Sequence, residues 1–128
     1  MAGSLMERTS IAGIAAGART LIIAAHADDE MLGAGGWLAR RRGQLALTVL
    51  TGGVPPDRRH FPSGQTNRVQ YGRTRRLEVR RVWRRFAPGA RLYLGPFSDP
   101  RLHLELDAAA DWLARVAAAV RPDLVLAP

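Results

Sequence analysis

The chain has no cysteine, which excludes a disulfide framework and any thiolate metal site. It has no lysine either: all 19 basic residues are arginine. With the abundance of alanine, this fits the coding bias of a GC-rich bacterial genome better than selection for one ligand. No apolar run reaches the ~18 residues that a membrane span requires. Aromatic residues are scarce, at 6%, so the stacking platforms of single-strand nucleic-acid binders are missing and nucleic acid is not an expected partner. The opening "MAGSLMERTSIAGIAAGART" has small apolar residues without the basic cluster that precedes them in a signal peptide. Residues 1–17 therefore read as a lead-in, residues 18–128 as one domain, and the expected location is cytoplasmic.

What is present is a strong positive charge and a regular alternation. The formal charge is +8 over 128 residues, which attracts anionic partners or substrates at long range. Four apolar runs stand out: "TLIIAA" (20–25), "QLALTVLT" (44–51), "RLYLG" (91–95) and "DLVLAP" (123–128). They are nearly continuous rather than alternating, the pattern of strands buried on both faces of a parallel sheet. Helical patterns fill the gaps. The first covers roughly 29–42 and ends at Gly43. The second covers roughly 66–87, with Val79, Val82, Trp83 and Phe86 on one face, and stops at Pro88-Gly89. The third covers roughly 105–121, with Ala109, Leu113, Val116, Ala117 and Val120 on one face, and stops at Pro122. The order β-α-β-α-β-α-β predicts an α/β fold: a three-layer, Rossmann-like parallel sheet with helices on both faces. The chain stops after the fourth strand, so a domain truncated there is expected. An uncovered last strand is also an edge open to self-association.

The residues that carry chemistry follow the first run. "AHADDE" places His26, Asp28, Asp29 and Glu30 where a buried strand ends, and open parallel sheets build their sites at that end of their strands. An imidazole and a carboxylate three residues apart can meet at one point across a tight turn, and both are zinc ligands. Zinc brings the pKa of bound water to about 7, and a neighbouring Asp28 is suited to take the proton. Acidic residues in a first helical turn are also favoured by the helix dipole. On spacing alone, the metal and structural readings stand level. "GAGG" at 33–36 is not a dinucleotide fingerprint, because carboxylates rather than glycines follow the strand.

Resemblance changes that balance. "AHADDE" followed by "MLGAGGWLARRRGQLALTVLTGG" closely resembles the PIG-L/LmbE-like zinc de-N-acetylases and their A-H-P-D-D-E signature. Further matches are Leu32-Gly33, Gly35-Gly36, Thr51-Gly52-Gly53, the R-x-x-E of Arg75 and Glu78, the Asp99 of "LYLGPFSD", and Arg121-Pro122-Asp123. The resemblance covers about residues 18–128. It implies His26 and Asp29 as zinc (Zn2+) ligands, Asp28 as general base, and Arg75 as a contact to an anionic or sugar portion of the substrate. The implied reaction is hydrolysis of an N-acetyl amide on a glucosamine-type sugar. Ala27 replaces the family's proline, a small change in backbone restriction. The family's third ligand is a histidine beyond the fourth strand, where this chain has stopped. The substitutes within the chain are His60, in the long loop 52–65 with Arg58 and Arg59, and His103. The alternative is a truncated or degenerate non-catalytic relative that binds a sugar, an anion or a partner protein. Most of the arginines between 66 and 86 read as a solvated helix face.

Overall fold

A computed structural model describes residues 17–26, 44–64 and 67–127. The strands are β1 (Thr20–Ala24), β2 (Leu45–Thr51), β3 (Arg91–Phe97) and β4 (Leu124–Leu126). Helix α1 (Arg68–Phe86) joins β2 to β3, and α2 (Leu106–Val120) joins β3 to β4. The helix expected over 29–42 lies outside the described residues. The strands pair in parallel, in the order β3-β2-β1-β4. The α/β parallel sheet expected from the alternation is the fold observed. Among the described residues, no helix is long and apolar enough to cross a membrane.

The two central strands are buried from both sides, which is why they read as unbroken apolar runs. Every residue of β2 is buried. The period of two sends alternate side chains to opposite layers. Ile22, Ala24, Leu45, Leu47 and Val49 pack against Val79 and Trp83 of α1. Leu21 and Ala46 pack against Val116 and Val120 of α2. Thr48 is a fully buried polar residue among these apolar neighbours. Its Oγ1 donates to the Tyr93 carbonyl at 2.9 Å and accepts from Trp112 Nε1 at 3.0 Å, so its burial leaves no polar group unsatisfied. That pair also ties α2 to the middle of the sheet.

Helix boundaries follow local chemistry. The Asn67 side chain accepts from the backbone N–H groups of Val69 and Gln70, an N-cap that starts α1 at Arg68 rather than at 66. Arg121 adopts a left-handed φ of 50° after α2, and Pro122 cannot continue the helix. Val82 is a correction to the expected α1 face. It is 46% exposed, whereas Val79 and Trp83 are buried, because the buried arc centres between those two and Val82 falls on its flank.

The Arg121-Pro122-Asp123 stretch has a structural task. The Asp123 carboxylate accepts from the Arg19 backbone N–H at 2.8 Å and from the Arg19 guanidinium at 3.2 Å. In return, the N–H groups of Asp123 and Leu124 donate to the Arg19 carbonyl. This clamp fixes β4 against the start of β1. The Arg19 side chain, and then its backbone N–H, hold the Asp123 carboxyl below the usual aspartate range. A carboxyl depressed in the folded state stabilises the fold above the ordinary aspartate pKa of about 4, and that contribution is lost as pH falls through the lower folded value. Acidification below about pH 4 is therefore expected to loosen β4 ahead of the central strands. Hydrogen exchange at the Asp123 and Leu124 amides, corrected for intrinsic rates, checks this. Asp123→Asn should show the loosening already at neutral pH.

Candidate functional site

Strand order locates the site. The chain proceeds from β1 to β2 to β3 in one direction and then returns past β1 to β4. Such a reversal opens a crevice at the C-terminal ends of the two strands on either side of it, here β1 and β4. His26 stands two residues beyond β1, at that edge. The peptide ahead of it is held firmly. The Ala25 carbonyl accepts from Thr51 N–H at 3.0 Å and from Thr51 Oγ1 at 2.8 Å, and Thr51 itself is buried. The threonine of the T-x-G match thus fixes the exit of β1, while the His26 side chain remains 46% exposed.

Asp99 meets His26. Its Oδ1 contacts Nε2 of the imidazole, although Asp99 follows β3 and β2 lies between the two strands. A bulge makes this reach possible. Between the Val49–Leu94 and Thr51–Phe97 pairs, β2 advances two residues and β3 three. An extra residue of this kind bends the strand and re-aims the side chains that follow. Gly95 sits at the bulge against β2. A Cβ there would lie 2.5 Å from the Leu50 carbonyl oxygen, an overlap with rigid backbone. Arg76 of α1 donates to the Gly95 carbonyl at 2.8 Å and secures the bulge from above. Gly95→Ala is expected to destabilise the fold by about 1–3 kcal/mol, read from the shift of the denaturant midpoint.

Arg75 lies on α1 at the same edge. Its side chain is 22% exposed and its Nη1 donates to Glu78 Oε2 at 2.8 Å. The guanidinium passes over the turn after β2, where Gly53 has a φ of 65° and its missing Cβ would sit 3.7 Å from Arg75 Nε. Both halves of the R-x-x-E match are therefore one ion pair, packed above the Gly52-Gly53 turn. The loop after that turn folds back onto the start of α1. Arg68 donates to the carbonyls of Pro55 and Pro56, and the Phe61 and Tyr71 rings are 5.0 Å apart. Arg59 is engaged with Asp57, and that bond holds the Asp57 carboxyl below its usual range. Arg58 and His60 are exposed in the same loop.

The expected site residues divide accordingly. His26 and Arg75 both stand at the C-terminal edge of the sheet, on separate elements. Asp28 and Asp29 lie outside the described residues. His60 and His103 are exposed, and among the described residues neither meets His26. Among the described residues, no three His, Cys, Asp or Glu side chains form a cluster suited to a metal. The residue that sequence reasoning passed over is Asp99. Its only signal was its place after "LG" in the family pattern, which carries no chemistry by itself.

The family model PIG-L, described as GlcNAc-PI de-N-acetylase, matches residues 21–128. Neither a curated protein nor a solved structure matches the chain.

Proposed function

This chain belongs to the PIG-L family, and on that footing we propose that it hydrolyses the N-acetyl amide of a glucosamine-containing substrate with zinc as its resident metal. The observation that carries the reading is an imidazole, His26, at the switch-point edge of a parallel sheet with a carboxylate, Asp99, at its ring. Nitrogen and oxygen donors without sulfur are the usual set of a catalytic zinc site, and the chain has no cysteine to offer. His26 and Asp29 would hold the metal. When bound, zinc polarises the amide carbonyl and activates water.

The chain's own residues supply the remainder. Asp28, beside the two ligands in sequence, takes the proton of the attacking water. Water adds to the acetyl carbon, the C–N bond breaks as the proton held by Asp28 passes to the departing nitrogen, and the products are acetate and the free amine of the sugar. Arg75, already oriented by Glu78, contacts an anionic or hydroxyl-bearing part of the substrate away from the bond that breaks. The +8 charge favours approach of a substrate with negative charge elsewhere in the molecule.

Acetate release tests this reading. The protein is incubated with N-acetylglucosamine conjugates, neutral and phosphate-bearing, before and after chelation. Acetate is expected in stoichiometric amount with the free amine, lost on chelation and restored by zinc. Absence of acetate from every such conjugate in the zinc-loaded protein would favour the non-catalytic, sugar-binding alternative.

A further inference from the structure

We propose that Arg80 and Arg84 form a binding site for a phosphate-type oxyanion, at the edge of the sheet opposite His26. The strands are parallel, so α1 runs back from the edge where β2 ends to the edge where β3 begins. There the last turns of α1, the chain at 87–90 and the start of β3 line a concavity of about 230 Å³. That is below the roughly 300–1,000 Å³ of a drug-sized ligand site and suits a phosphate group with a small part of the molecule that carries it. Trp83, only 1% exposed, and Leu92 form its wall, and Arg80 and Arg84 stand at it from α1. Residues four apart on a helix are neighbours, with Cβ atoms about 5–6 Å apart, so both guanidinium groups reach one anion. Each presents N–H donors in a planar fork that matches phosphate oxygens.

The charge at this concavity has no counterpart among the described residues. No acidic residue lines it. Glu78, the one acidic residue of α1, is bound to Arg75. Among the described residues, neither the Arg80 nor the Arg84 side chain makes a hydrogen bond or an ion pair. Like charges at this spacing repel one another, and an anion between them removes that repulsion. Arginines in a last helical turn also complement the helix dipole, which accounts for Arg84 and Arg85 alike. It does not account for Arg80, a turn earlier, beside Arg84 at one concavity. The wall is in place before any ligand arrives. Trp83 is anchored in the apolar core, and the Ala90 N–H donates to the Ala87 carbonyl at 2.9 Å, which fixes the turn between α1 and β3. Arg81 and Arg85 are exposed on the same helix but do not line the concavity, so they serve as a control for charge alone. The inference does not depend on the metal reading above.

The test titrates inorganic phosphate into the full chain at low salt, with a chelator present to keep metal away, and follows the arginine Nε–H resonances by 15N NMR. Saturable binding is expected, with the largest shifts at two resonances that Arg80→Gln and Arg84→Gln each remove in turn. Affinity should fall roughly 10-fold or more in either variant, and far less in a control carrying both Arg81→Gln and Arg85→Gln. All four side chains are exposed, so the denaturation midpoints should stay close to that of the wild type. Absence of saturable binding, or an equal loss of affinity in the control, would overturn the proposal. Phosphatidylcholine vesicles with and without phosphatidic acid then separate the sources of the phosphate. Sedimentation with the acidic vesicles that inorganic phosphate displaces and Arg84→Gln abolishes assigns the site to a lipid headgroup. Phosphate binding without such sedimentation assigns it to a soluble phosphorylated molecule. Vesicle binding weakened as much by the control as by Arg84→Gln is diffuse attraction and counts against the site.

Discussion

Asp28→Ala is expected to lower acetate release by about 10²–10⁴-fold while leaving zinc content unchanged. The magnitude is that of a positioned general base removed from a proton-transfer step. Asp28 is adjacent to Asp29 and two residues from His26, so its role rests on the motif. The two readouts separate it from a ligand. A base contributes to the transition state and not to metal affinity, so turnover falls with the metal retained. Loss of a ligand lowers both. Undiminished activity in Asp28→Ala would remove the proposed proton acceptor. Parallel loss of zinc would reassign Asp28 to the metal.

Much of the fold was legible because burial on both faces leaves so plain a mark. "TLIIAA" and "QLALTVLT" contain no alternation to mislead, and both are central strands. The edge strand β3 was harder. Gly95-Pro96 is ordinary turn punctuation, so the strand was expected to end at Gly95. In the structure β3 runs on to Phe97, because an edge strand at a bulge can carry proline without losing a ladder bond it needs. That misread residue pair is also what brings Asp99 toward the site. His26 announced itself by ending an apolar strand next to charges, a local signal. The His26–Asp99 contact was not legible, since it depends on sheet order and on one extra residue in β3. Similarly, Arg75 and Glu78 were matched as a pattern, but only their packing over Gly53 reveals a single oriented ion pair.

His26→Ala is expected to have the other large effect, and it bears most directly on the claim that this sheet edge is a metal centre. His26 is about half exposed and takes no part in the apolar clusters. Its removal costs the bond to Asp99 but no apolar packing, so stability should fall by about 0.5–1.5 kcal/mol. As a ligand, by contrast, it should dominate zinc affinity, with a loss larger than the roughly 10–100-fold that follows removal of an outer partner. The decisive measurement is a zinc titration of wild type and His26→Ala against a chromophoric chelator, with denaturation curves run alongside. One zinc is expected per wild-type chain, and in the variant a denaturation midpoint lowered only modestly while zinc binding is lost. Equal zinc affinity in the two proteins would contradict it, and would place any metal away from the C-terminal end of β1.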